Sequence, residues 1–110
     1  MKVVVLLAAF TDRQTRTVDI GDVEFAGTPE EQQLALLDAV FVQGQNEIDP
    51  MPCPSVSAGD IIFHNGIWLV DHCGFSPLTD KELESYLMQR PGERLYWFIE
   101  KQRKPWPELH

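Results

Sequence analysis

Cys53, His64, His72 and Cys73 form a set of the residue types that hold zinc in this 110-residue sequence. Their spacing does not suit the ion. Structural zinc sites draw on pairs such as Cys-x2-Cys or His-x3-His, and neither occurs; the adjacent His72 and Cys73 would point to opposite faces of a continuing strand. The expectation is ordinary packing of these residues, with no metal and no cofactor. Asp60 and Asp71 are the more chemical pair. Asn65-Gly66, flanked by the runs 61–64 and 67–70, signals a two-residue hairpin turn, and that register sets Phe63 opposite Trp68, Ile61 opposite Val70 and Asp60 opposite Asp71. Facing carboxylates must share a proton or a cation, so the hairpin offers a candidate ligand- or metal-dependent site at Asp60, Asp71, His64 and Cys73. The competing reading leaves both carboxylates in water, or has Asp60 bonding the loop backbone after Gly59. Ser55, Ser57 and Ser76 lack a G-x-S-x-G setting, and no phosphate-binding glycine motif is present. Enzymatic activity is not expected.

Charge is the least ordinary property. The formal net charge is −8. No lysine or arginine stands between Arg16 and Lys81, yet that interval carries Asp19, Asp22, Glu24, Glu30, Glu31, Asp38, Glu47 and Asp49, followed by Asp60, Asp71 and Asp80. Residues 1–60 hold 10 acidic against 3 basic groups, whereas residues 61–110 hold 7 against 6. This balance argues against direct nucleic-acid binding, which needs cations against phosphates. One reading is a solvated face that keeps a small protein soluble. The sharper one makes the eight residues from Asp19 to Asp49 a surface complementary to a basic partner. On an extended strand Asp22 and Glu24 would project from one side about 6.5 to 7 Å apart. Such a row, with helix carboxylates beside it, can occupy a nucleic-acid-binding cleft on another protein.

The length fits a single domain over 1–110, with 104–110 as a candidate flexible tail. Two cysteines are too few for a disulfide framework, so a reduced, cytoplasmic protein is expected. Lys2 followed by the apolar run 3–10 has the look of a short secretory leader but lacks a small-x-small cleavage site. No apolar run approaches the ~20 residues a membrane span requires.

The elements follow from local pattern. Residues 3–7 form a continuous apolar strand, and the alternation over 15–20 makes its hairpin partner. Thr28-Pro29-Glu30-Glu31 is a capping box opening a helix that runs to about Gln43, with Leu34, Leu37 and Phe41 as its stripe, Leu36 and Val40 beside them, and Gly44 as its C′ residue. Residues 45–58, with Pro50, Pro52 and Pro54, form a long loop, either a stiff connector or a functional segment. The hairpin around Asn65-Gly66 places Ile62, His64, Ile67 and Leu69 on a second apolar face that needs a helix or a second copy to cover it, hence a candidate homodimer interface. Thr79-Asp80-Lys81-Glu82 opens a second helix, and the alternation over 94–101 predicts a final strand. The expected order is β-β-α-β-β-α-β, an α+β domain with a mixed or antiparallel sheet and two helices against it.

One stretch resembles a known group. Phe41, Gly44-Gln45-Asn46, Pro54-Ser55-Val56-Ser57 and Gly59-Asp60, followed by a hairpin, is similar to the F-x2-G-Q-N and P-S-V-S-x-G-D pattern of small phage and plasmid proteins with YodL-like domains. The resemblance covers about a third of the chain. It implies a mobile-element origin and carries no catalytic residues with it. By analogy with the small inhibitors of host defence that such elements encode, it favours a binding protein aimed at a host partner. The acidic stretch from Asp19 to Asp49 lies outside the pattern.

Overall fold

The computed structural model describes residues 1–103 and contains β1 (Lys2–Leu6), β2 (Thr15–Asp19), α1 (Pro29–Gln43), β3 (Ile61–Phe63), β4 (Ile67–Asp71), β5 (Gly74–Leu78), α2 (Asp80–Leu87) and α3 (Arg94–Arg103). The candidate tail 104–110 lies outside the described residues. All strands pair antiparallel, in the order β2-β1-β3-β4-β5. The chain is thus an α+β domain, with α1 against one face of the sheet and α2 and α3 against the other. Val3, Val5, Val18, Ile62 and Val70 meet Leu36, Leu37 and Val40 of α1 in one core. Leu6, Ile61, Leu69 and Leu78 meet Tyr86 and Phe98 in the second. No helix among the described residues is long and apolar enough to cross a membrane.

Both capping boxes form. Thr28 Oγ1 accepts from Glu31 N–H and Glu31 accepts from Thr28 N–H; Thr79 and Glu82 repeat the exchange. Gly44 ends α1 for a different reason from the expected one. Its φ is −80°, not left-handed, and a Cβ there would collide with Val56.

The hairpin register differs by one residue from the sequence expectation. Phe63 pairs with Ile67, Ile62 with Trp68 and Ile61 with Leu69, so the loop is His64-Asn65-Gly66 and not Asn65-Gly66 alone. Positive φ at Asn65 (+46°) and Gly66 (+124°) suits this longer turn, and Trp68 Nε1 donates to His64 O at 3.0 Å across it. A one-residue shift exchanges faces. Ile61, Phe63, Ile67 and Leu69 therefore lie together under α2 and α3, while Ile62, Trp68 and Val70 face α1. Leu69 is fully buried and Ile67 half-buried, so the face assigned to a second copy is covered by the chain's own helices.

The expected final strand is helix α3, and β5 takes the sheet edge instead. Gly74, Ser76 and Pro77 concealed β5 in the sequence, and Pro77 is tolerated because β5 is the outermost strand. In helical form, residues 94–101 bury Arg94 and Phe98, four apart, and set the rings of Trp97 and Phe98 6.4 and 6.5 Å from Tyr86. Arg94 joins the layers: Nε donates to Gln89 O and Nη2 to Leu87 O at the end of α2, while Nη1 donates to Ala8, Thr11 and Asp12 carbonyls.

Candidate interaction surface

Asp60 and Asp71 do not meet. Val70 N–H donates to Asp60 O, so Asp60 stands opposite Val70, and Asp71 pairs with Gly74 of β5. Asp60 is 1% exposed, with Oδ1 accepting from Ala9 N–H at 2.9 Å and Oδ2 from Ser57 N–H at 2.8 Å. Burial pushes its carboxyl up to about 6, against the two N–H bonds that pull it down. With both oxygens taken, it is a tether between the chain after β1 and the loop before β3. Burial, and after it the nearness of the Asp60 carboxylate, raises the Tyr86 phenol, which donates to Gly59 O at 2.6 Å. The neighbouring residues are bonded just as fully: Val56 N–H donates to Gly44 O, Gln45 Nε2 to Phe41 and Val56 carbonyls, and Asn46 N–H to Ser55 Oγ. The residues of the G-Q-N and P-S-V-S-x-G-D stretches thus clasp one another. No group of three or more His, Cys, Asp and Glu positioned for a metal occurs among the described residues, and Cys53 and Cys73 are free thiols. His72 and Cys73 form the exposed turn before β5.

The loop 45–58 is held by a buried cation. Arg16 is 2% exposed; Nη1 donates to Asn46 Oδ1 at 2.7 Å and Pro54 O at 3.2 Å, and Nη2 to Asp49 O at 2.7 Å. These partners are neutral, and the Nε–H has none among the described residues. Arg16 therefore contributes no cation to the surface.

All eight acidic residues from Asp19 to Asp49 are exposed, but they are not equivalent. Asp19 accepts from Gly21 N–H, which holds its carboxyl below the ordinary range, and the Met1 amine lies 3.6 Å away. The same amine lies 4.0 Å from Asp22. Glu31 is committed to the capping box, and its bond from Thr28 N–H lowers it. Glu24, Glu30, Asp38, Glu47 and Asp49 form no ion pair among the described residues. Along α1, exposed Glu30, Leu34, Asp38 and Val42 follow at every fourth position, alternating charge and hydrocarbon.

Two grooves flank the first half of α1 and share Pro29, Gln33 and Asn65. One, of about 530 Å³, runs past Val23, Glu24 and His64; the other, of about 490 Å³, past Glu30, Leu34 and Trp68. Among the described residues no lysine or arginine lines either. Their shared wall is fixed. Gln33 Nε2 donates to His64 O at 2.8 Å, and His64 Nδ1 lies 3.2 Å from Gln33 Oε1, an arrangement the Nδ1–H tautomer satisfies. Val23 is 54% and Leu34 50% exposed. Sequence reasoning assigned Leu34 to the core stripe, yet the buried positions are Leu36, Leu37 and Val40. The available signal was Leu34's placement four residues from both Glu30 and Asp38.

A third concavity, about 630 Å³, lies between α3 and the turns at 9–10 and 57–58, with Phe10 and Tyr96 at its rim and Ala9 and Ser57 in its lining. The Asp60 carboxyl is not part of that lining; its two N–H donors are. Comparison with protein families, curated proteins and solved structures gives no match.

Proposed function

We propose that this chain is a non-enzymatic binding module whose acidic surface docks on a basic surface of another protein. A host protein that handles nucleic acid or serves in defence against mobile elements is the class that the sequence resemblance favours. The observation that carries the reading is the burial of Arg16. It is the sole cation between Arg13 and Lys81, and its withdrawal leaves Glu24, Glu30, Asp38, Glu47 and Asp49 without a compensating cation in their own stretch. A field of one sign attracts a partner of the other over a distance comparable to the Debye length and speeds encounter. Glu31, held by its helix cap, and Asp19, held by Gly21 and the amine, are the least available of the eight. Of the five carboxylates that form no ion pair among the described residues, Glu24 and Glu30 line the grooves beside α1, and we place the centre of the surface there.

Capture from bacterial lysate by immobilised protein tests this. The bound partner should be basic and should be released as salt rises from about 0.05 to about 0.5 M, over which the Debye length falls to a few ångströms. A specific partner retained unchanged across that range would rule out an electrostatic surface as the basis of binding.

A further inference from the structure

The grooves beside α1 are more than a charged patch, because they combine concavity, exposed hydrocarbon and carboxylate. Resting on the reading above, we infer that they take a cationic amphipathic segment of the partner, with apolar side chains seated against Leu34, Val23 and Trp68 and lysines or arginines reaching Glu24 and Glu30. Three observations specify that occupant. The walls carry carboxylates and no lysine or arginine among the described residues, so the complementary charge is positive. Leu34 and Val23 are about half exposed, and covering each would tighten binding by roughly fivefold or more. The Gln33, His64 and Trp68 bonds hold the shared wall in place before any partner arrives, so little ordering is lost on binding. A purely ionic contact would need the carboxylates alone. A second copy would bring a net charge of −8 against the same acidic face.

Fluorescence anisotropy with two labelled synthetic peptides of equal length and lysine count provides the test. One has leucines at every third or fourth position, and the other has those leucines replaced by serine. The wild-type chain should bind the leucine peptide about tenfold or more tightly over the serine peptide, the difference expected for burying one to two apolar side chains. Leu34→Asn, checked for an unchanged urea midpoint, should bring the two peptides within about twofold of each other. Glu24→Gln with Glu30→Gln should weaken both peptides alike. Equal affinity of the wild type for the two peptides, or a preference that survives Leu34→Asn, would overturn the amphipathic occupant and leave the acidic surface standing. A leucine preference that survives with no loss in the glutamine variant would overturn the acidic reading, and the cationic part of the occupant with it. Failure of both peptides to bind would overturn both. Sedimentation of the wild-type chain as a dimer at low salt, lost with Leu34→Asn, would assign the grooves to a second copy and overturn the proposal.

Discussion

Asp60 and Glu30 are carboxylates of one small domain in opposite circumstances. Asp60 is enclosed, with both oxygens accepting backbone N–H groups and its neighbours bonded to one another from Gly44 to Ser57. Glu30 stands in water beside a groove with exposed leucine as its neighbour and no ion pair among the described residues. The carboxylate for which the sequence offered either chemistry or a bond to the loop backbone does the second, its valences spent on the fold. The one it counted as part of a charge run is free to meet a partner. Residue type and spacing nominate candidates; unspent hydrogen-bonding and charge distinguish those that can act.

The contrast is most directly broken by substitutions that treat the two regions alike. Leu69→Asp places a carboxylate at a fully buried position under α2 and α3 and should cost about 4 kcal/mol or more, or abolish folding, whereas Leu34→Asp, on an exposed helix face between Glu30 and Asp38, should cost only about 1 to 2 kcal/mol through weaker helix propensity and like charges. Chemical denaturation of the two variants measures this. Similar midpoints would mean that Leu69 is not enclosed and that the homodimer face survives. Asp60→Ala strips the acceptors from Ala9 and Ser57 N–H and should cost about 2 to 5 kcal/mol, a loss that a solvated hairpin-end carboxylate would not produce.

Titration sharpens the difference further. The Asp60 carboxyl rises from 3.8 to about 6 on folding, so the folded chain holds that proton more tightly. Its contribution is complete below the unfolded value and is lost as pH rises through about 6, a change of roughly 3 kcal/mol at most. Stability should therefore fall between about pH 4 and about pH 7, and Asp60→Asn should flatten that slope. An identical slope in Asp60→Asn would assign it to another group. Gly44→Ala is a smaller perturbation, expected to cost about 1 to 3 kcal/mol through overpacking against Val56; a neutral result would show that the clasp yields easily.

The legible parts of the fold were those written in local chemistry. Thr28 with Glu31 and Thr79 with Glu82 specify their helix starts through side chains three residues apart, and both boxes form. The alternation of residues 15–20 gives β2, including the inward position of Arg16, although nothing local tells that its guanidinium finds Asn46, Asp49 and Pro54. What failed was decided at a distance. Residues 94–101 alternate like a strand, but β5 occupies the sheet edge and the aromatic side chains reach Tyr86 only from a helix. The hairpin register turned on one residue of loop length, settled by Trp68 and His64 across the turn, and that residue separated Asp60 from Asp71. The acidic surface was legible as a count. The setting of Glu24 and Glu30 was not, because Leu34's exposure and Arg16's burial depend on what α1 and the loop 45–58 cover.

The central claim is that the acidic face binds and does not build the fold. Charge reversal at Glu24 and Glu30 together, followed by urea denaturation and partner capture on the same preparation, tests it most directly. The account predicts a stability within about 2 kcal/mol of the parent, the dipole interaction of Glu30 at the start of α1 included, and loss of the basic partner. Capture undiminished in a folded, charge-reversed chain would contradict it.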